Sequence, residues 1–175
     1  MTIGGVRPRL ALILSCSARK LPRQGLAIYQ YDGTAFRIMR RFEEKRRGLG
    51  WPRVFVLSAR YGLISEERQI TEYDQVMTDD RAKELAWGDL ERAERTLYLH
   101  VPEVFGRRPH PPFDHFGHYY GFFCFAGETY RKVLTTWESR GLFRAAPLEF
   151  ASGAGIGEML RGFQTRLERW AREEG

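Results

Sequence analysis

Residues 9–20 read Arg9-Leu-Ala-Leu-Ile-Leu-Ser-Cys-Ser-Ala-Arg-Lys20, an apolar run that ends abruptly in small polar side chains. Between Leu10 and Leu14 the run does not alternate with polar residues, which is typical of a strand covered on both faces in a parallel sheet. This stretch therefore predicts a central strand, around which the other elements are arranged.

The residues that follow this strand predict a ligand site. In open α/β sheets, ligands bind beyond the carboxyl ends of the strands. The small side chains of Ser15, Cys16 and Ser17 would let a ligand approach the backbone. The cations Arg19 and Lys20 suit an anionic group such as phosphate. The alternative is a polar strand end followed by a solvated basic loop.

The rest of the chain alternates between strand and helix patterns. Apolar runs predict further strands at Arg53 to Ser58, Gly121 to Ala126 and Pro147 to Phe150. Apolar residues at helical spacing predict helices over 34–47, 78–93, 127–141 and 156–170. We therefore expect an α/β fold, a three-layer sandwich with a central, mostly parallel sheet of four or five strands.

Weaker patterns lie between these elements. Residues 21–33 are predicted to form a loop, and residues 65–77 an irregular segment. Residues 96–101 fit a helix slightly better than a strand. Prolines exclude regular structure from Gly106 to Gly117.

Length and composition favour one intracellular domain. The chain has 175 residues, of which 43% are hydrophobic, enough for one core but not for two. We expect a single domain over 1–175 with a Pro-, His- and aromatic-rich insertion at about 102–120. Cys16 and Cys124 are not spaced like a zinc motif or a disulfide framework, which suits a reducing cytosol. No segment approaches the roughly 20 apolar residues of a membrane span, so we expect a cytoplasmic protein and no membrane partner.

The charge balance favours a polyanionic partner. The formal net charge is +6, and arginine outnumbers lysine, which suits contacts to phosphate but is also what an arginine-biased genome produces. The outer face of the 34–47 helix is a candidate nucleic-acid surface, although a solvated face is the alternative. Its cations are Arg37, Arg40, Arg41, Lys45 and Arg47.

The ends of the other strands add candidate ligand-binding residues. Ser58 ends the second strand and is followed by Arg60, Tyr61 and Gly62, whose missing side chain permits a tight turn. Tyr73 and Asp74 lie in the irregular segment, where a turn or capping role is the alternative for Asp74. Gly127 and Tyr130 follow the 121–126 strand.

The sequence predicts neither a metal nor a cofactor. His110, His115 and His118 have only Asp114 as a nearby acidic partner, and an aromatic loop packed over the sheet edge or a bound base is the better interpretation. The glycines of 153–157 do not form the G-x-G-x-x-G pattern of dinucleotide sites.

Five motifs resemble a known family in their order along the chain. They resemble the YaaA-like group of bacterial and archaeal proteins, which is related to a peroxide-stress protein, and the first of them also resemble a domain of archaeosine synthase, a tRNA-modifying enzyme. The resemblance spans roughly residues 9–165. It implies a fold similar to the uracil-DNA glycosylase class, partners among DNA, RNA or modified bases, and a link to the stress response. The motifs are Ser15-Cys-Ser-Ala-Arg-Lys20, Ser58-Ala-Arg-Tyr-Gly-Leu-Ile64, Tyr73-Asp74, Gly127-x-x-Tyr130 and Gly155-Ile-Gly157.

These observations leave three functions open. As an enzyme acting on a nucleobase or its glycosidic bond, a glycosidase or transferase-like protein, the chain would use Lys20 and Arg60 to hold phosphate or base carbonyls. Tyr61 or Tyr130 would stack on the base, and Asp74 would activate a water or stabilise a cationic sugar. The alternatives are a non-catalytic DNA- or RNA-binding protein of a stress response and a metabolite-binding module.

Overall fold

The apolar run at residues 9–15 forms the middle strand of the sheet. The computed structural model describes residues 9–22, 24–45, 52–98, 119–143 and 146–173. One sheet has five strands in the order β4-β3-β1-β6-β7, and two short strands pair separately as β2-β5. In chain order the strands are β1 (Arg9–Ser15), β2 (Gly25–Leu26), β3 (Arg53–Ser58), β4 (Gly62–Ser65), β5 (Gln69–Ile70), β6 (Tyr119–Phe125) and β7 (Leu148–Phe150).

Most pairs in the five-stranded sheet are parallel. β1 runs parallel to β3 and to β6, and β6 runs parallel to β7, while β4 is an antiparallel edge strand beside β3. The residues from Leu10 to Leu14 are at most 1% exposed. The predicted α/β class, the mostly parallel sheet and the central position of this run are therefore confirmed.

Helices cover the sheet on both faces. They are α1 (Ala27–Gln30), α2 (Thr34–Lys45), α3 (Asp79–Gly88), α4 (Leu90–Tyr98), α5 (Glu128–Ser139) and α6 (Ile156–Glu173). Ala11 and Ile13 pack into a core with α3, α4 and α5. Leu10, Leu12 and Leu14 pack into a second core with α1, α2 and α6. Because side chains alternate across a strand, β1 contributes to both cores, as do β3 and β6, and the result is three layers.

The structure corrects three local predictions. The segment between Ile64 and Met77 is not irregular throughout, because it contains β5; before it, the turn expected at Gly62, which has φ +68, lets the chain return as β4. The predicted loop at 21–33 contains β2 and α1, because β2 pairs with β5. The helix predicted from Thr78 ends at Gly88 and a second helix begins at Leu90.

The Pro-, His- and aromatic-rich insertion falls mostly outside the described residues, because 99–118 are not described and Tyr119 and Tyr120 already belong to β6. The histidines named above all lie there. In the ranges that are described, no helix is long and apolar enough to cross a bilayer.

Candidate ligand site at the carboxyl edge of the sheet

The ends of three neighbouring strands meet at one edge of the sheet. Ser15 pairs with Leu57 in β3, and Leu14 pairs with Phe125 in β6. The backbone N–H of Cys16 donates to the carbonyl oxygen of Leu57 at 2.9 Å. Ser15, Ser58 and Gly127 therefore lie at the same edge, as their strand directions predict.

Tyr73 is the centre of a buried hydrogen-bond network at this edge. Its hydroxyl oxygen lies 2.7 Å from the Ser58 hydroxyl and 2.7 Å from the Tyr31 hydroxyl. Ser58 also accepts the backbone N–H groups of Arg60 at 3.2 Å and Tyr61 at 3.1 Å. Either hydroxyl can be the donor in each of these contacts, and the three hydroxyl groups form one buried hydrogen-bond network.

Cys16 and Tyr130 form a second contact beside this network. The Cys16 sulfur lies 3.0 Å from the Tyr130 hydroxyl, in the first turn of α5 that follows Gly127. Burial raises the pKa of Tyr31 to about 12, and burial also raises the pKa of Tyr73 and of Tyr130, with the nearby Cys16 as a second cause for both. The three phenols are therefore neutral hydrogen-bond donors at neutral pH.

Cations lie against the tyrosine rings. The Lys20 ammonium nitrogen is 4.1 Å from the centre of the Tyr73 ring. The Arg60 guanidinium carbon is 5.4 Å from the Tyr61 ring and 5.8 Å from the Tyr73 ring. Arg68 lies 5.4 Å from the Tyr61 ring. Tyr61 and Tyr73 meet edge to face with their ring centres 5.3 Å apart, so one aromatic pair holds several positive charges at the edge.

We call this set of residues the carboxyl-edge site. Its members are Cys16, Lys20, Tyr31, Ser58, Arg60, Tyr61, Tyr73 and Tyr130.

Three further predicted residues have different surroundings. Asp74 is exposed, and in the part of the chain that the structure describes no ion pair joins it to Lys20 or Arg60; both cations lie against the ring of Tyr73 instead. Gly62 makes the turn into β4, where a Cβ atom would lie 1.9 Å from a carboxylate oxygen of Asp89. The Ser17 hydroxyl donates to the carbonyl oxygen of Arg19 at 2.6 Å, which orders the loop after β1.

The sequence patterns did not predict Tyr31, which is a member of this site, or Arg68, which lies beside it. Tyr31 is completely buried and meets Tyr73 across 42 residues of sequence. Spacing along the chain carries no signal for such a contact. The only local hint was the row of polar and aromatic residues before α2.

The helix predicted to bind nucleic acid, α2, carries exposed cations and one cation that is held by hydrogen bonds. Arg37, Arg41 and Lys45 are exposed. Arg40 instead donates to Asp32 at 3.0 Å and to the carbonyl oxygens of Ile28 at 3.0 Å and Tyr31 at 2.9 Å. Arg40 thus fixes the loop that carries Tyr31, and its role is structural. Arg47 lies outside the described residues.

A surface depression of about 430 Å³ lies away from the carboxyl-edge site, between α2 and α6. Its lining includes Arg41, Phe42, Lys45, Glu168 and Arg172. The carboxyl-edge site itself is defined by converging side chains and strand ends.

The known family and the solved structure that this chain resembles both have no assigned function. Residues 11–98, half of the chain, match a family of unknown function, DUF6884. This range includes β1 from Ala11 onward, β3 and the tyrosines at 31, 61 and 73, and excludes Tyr130. No curated protein matches the sequence significantly.

One solved structure that resembles this fold is the crystal structure of AF0587, a protein of unknown function. The TM-score is 0.49 at 13% sequence identity, and the match covers 92% of this chain and 45% of AF0587. The chain thus spans less than half the length of that protein.

Proposed function

The chain belongs to DUF6884, a family of unknown function, and on the geometry of the carboxyl-edge site we propose that it binds a nucleotide-like ligand there. Lys20 and Arg60 contact the phosphate, and Tyr61 lies against the base. The observation that carries this proposal is the convergence of cations on tyrosine rings beyond the ends of parallel strands.

The phosphate half of the proposal rests on charge. Arg60 is exposed, Lys20 is half-buried, and no carboxylate neutralises either of them within the ranges that the structure describes. Arg19, in contrast, is paired with Asp32 at 3.1 Å. Two unneutralised cations beside a strand end favour an anion, and the guanidinium of Arg60 can bind phosphate through two parallel hydrogen bonds.

The base half rests on the tyrosines. Tyr61 is half-buried and its ring is held edge to face by Tyr73, so it offers a rigid aromatic surface for stacking. The buried phenol network fixes the position of Tyr73, against which the Tyr61 ring packs. A planar ring that carries a phosphate satisfies both halves, whereas an aliphatic anion uses only the cations.

Catalysis on the base or its glycosidic bond is the second candidate function. Asp74 favours it because this exposed carboxylate directly follows Tyr73, the centre of the network. We propose that Asp74 orients a water or stabilises positive charge on the sugar while the carbon–nitrogen bond breaks. The resemblance to the YaaA-like group and a relationship to the uracil-DNA glycosylase class are proposals of the same kind and agree with a base as ligand.

Calorimetric titration tests the binding proposal. Nucleoside 5′-monophosphates, the matching nucleosides and inorganic phosphate are titrated into the full chain. We expect the monophosphates to bind more tightly than either fragment. Arg60→Ala should weaken monophosphate binding about tenfold or more and remove its advantage over the nucleoside, because a charge-assisted contact is worth roughly 1.5–3 kcal/mol.

Two further variants separate the ring from the charge. Tyr61→Ala should weaken nucleoside and monophosphate alike, since stacking is worth about 1–3 kcal/mol per base, whereas Tyr61→Phe keeps the ring and should bind normally. Arg95→Ala, which removes an exposed arginine on α4, is the charge-matched control. Equal binding of monophosphate and nucleoside by the unaltered chain would contradict the proposal.

A further inference from the structure

The exposed cations of α2 form a stripe that begins beside the carboxyl-edge site. Arg37, Arg41 and Lys45 are spaced four residues apart, so they lie along one side of the helix at steps of about 6 Å. Within the described ranges none of the three makes an ion pair. Among the described residues, no carboxylate therefore competes with an external anion for these three charges.

The beginning of α2 is in contact with the loop after β1. A Cβ atom on Gly33 would lie 2.7 Å from the Cβ atom of Ser17, and the N–H of Asp32 donates to the carbonyl oxygen of Arg19 at 3.0 Å. From Gly33 to Lys45 the helix extends about 18 Å at the normal rise per residue. The stripe thus leads from the carboxyl-edge site across a distance that several nucleotides span.

The far end of the stripe enters the depression between α2 and α6. There Arg172 of α6 lines the same depression, of about 430 Å³, as Arg41 and Lys45 of α2. The depression contains one carboxylate, Glu168, which already accepts a hydrogen bond from Gln164 at 3.1 Å. The side chain of Phe42 adds an aromatic surface, which packs against Trp170 with ring centres 6.3 Å apart. Three cations against one carboxylate make the depression complementary to a polyanion.

From this arrangement we infer that the ligand of the carboxyl-edge site is one nucleotide of a single-stranded nucleic acid, whose backbone runs along Arg37, Arg41, Lys45 and Arg172. We call these four residues the basic track. The inference rests on the proposed function and narrows the ligand from a free nucleotide to a strand. A cationic groove with aromatic surfaces is what sequence-tolerant single-strand binding requires. An unpaired strand is needed because a base stacked on Tyr61 cannot stay in a duplex.

Fluorescence anisotropy with a labelled 12-nucleotide strand tests the inference, using DNA and RNA of the same sequence and the corresponding duplex. The triple variant Arg41→Ala, Lys45→Ala, Arg172→Ala should bind the single strand about a hundredfold more weakly at 0.1 M salt. The slope of log K against log salt should fall by about 2, because each lost contact on a single strand removes about 0.7.

The matched control removes three exposed cations from the opposite helical layer, namely Lys83, Arg95 and Lys132, which are 75%, 65% and 55% exposed. It lowers the net charge equally and should leave affinity and slope nearly unchanged. Glu168→Gln removes the one carboxylate from the depression and should tighten strand binding. Circular dichroism confirms that each variant is folded.

The outcomes separate the inference from the proposed function. If the monophosphate binds at the carboxyl-edge site but the strand binds no more tightly, the inference is wrong and the proposed function stands. If the strand binds through the basic track while Arg60→Ala and Tyr61→Ala have no effect, the track is right and the proposed nucleotide site is wrong. Equal losses of strand affinity in the two triple variants would contradict the inference, because the basic track would then contribute no more than any other exposed cations.

Discussion

A substitution at Asp74 distinguishes the two candidate functions, catalysis and binding alone. Asp74→Asn keeps its shape and removes its charge. If Asp74 acts in catalysis, base release should fall on the order of a hundredfold or more while the fold and nucleotide binding persist. If the protein only binds, affinity for an anionic nucleotide should stay equal or rise. Turnover and calorimetry on the same preparation distinguish the two, and a markedly lower melting temperature would show instead that Asp74 is a turn or cap.

Tyr31 should make the protein less stable at alkaline pH. Burial raises its pKa to about 12, whereas an unfolded tyrosine ionises near 10. The folded state therefore binds the proton more tightly, and the free energy of unfolding falls as pH rises from about 10 to about 12. Urea unfolding across this range should show a shallower decline for Tyr31→Phe than for the unaltered chain. Tyr98, whose pKa burial also raises to about 12, contributes equally to both. Parallel declines would contradict the assignment.

Two glycines in turns should respond differently to alanine. At Gly62 the positive φ and the close carboxylate of Asp89 both oppose a side chain, so Gly62→Ala should cost about 1–3 kcal/mol or more. At Gly127 the backbone has φ −67, and no atom lies within 4 Å of an added Cβ. Gly127→Ala should therefore fold normally and lose ligand affinity only, because its methyl group occupies space at the carboxyl-edge site. Thermal melts and nucleotide titrations check both, and unchanged affinity would place the ligand away from Gly127.

The strands were predictable because their signals are local. Leu10 to Leu14 is an unbroken apolar run, and burial of both its faces follows from that pattern alone. A tight turn at Gly62 was predictable from its missing side chain, but β4 was not, because no local pattern shows that the chain after the turn pairs with β3. The break between α3 and α4 falls at Gly88 and Asp89, inside an apolar pattern that continues across both helices.

The candidate site could be predicted in position but only partly in composition. Parallel strands bring Ser15, Ser58 and Gly127 to one edge, and strand direction suffices to say so. Which side chains meet there depends on long-range packing: the sequence put Asp74, Lys20 and Arg60 in one candidate enzyme site, and in the structure both cations lie against the ring of Tyr73. The sequence did not distinguish Arg40 from the exposed cations of its helix, because its contacts with Asp32 and with backbone carbonyl oxygens form only in the folded chain.

The two proposed binding surfaces lie on different parts of the fold. The carboxyl-edge site draws on both cores: Tyr31 and Tyr73 belong to the core under α2 and α6, whereas Tyr130 packs on the core under α3 and α5. The basic track lies on one helical layer only. A change in the α3–α5 layer can therefore disturb nucleotide binding through Tyr130 without touching the track.

A crystal structure with a bound nucleoside 5′-monophosphate tests the central claim most directly. The account predicts phosphate oxygens within hydrogen-bond distance of the Lys20 ammonium and the Arg60 guanidinium, with the base against the ring of Tyr61. Density for the nucleotide in the depression between α2 and α6, or phosphate held by neither Lys20 nor Arg60, would contradict it.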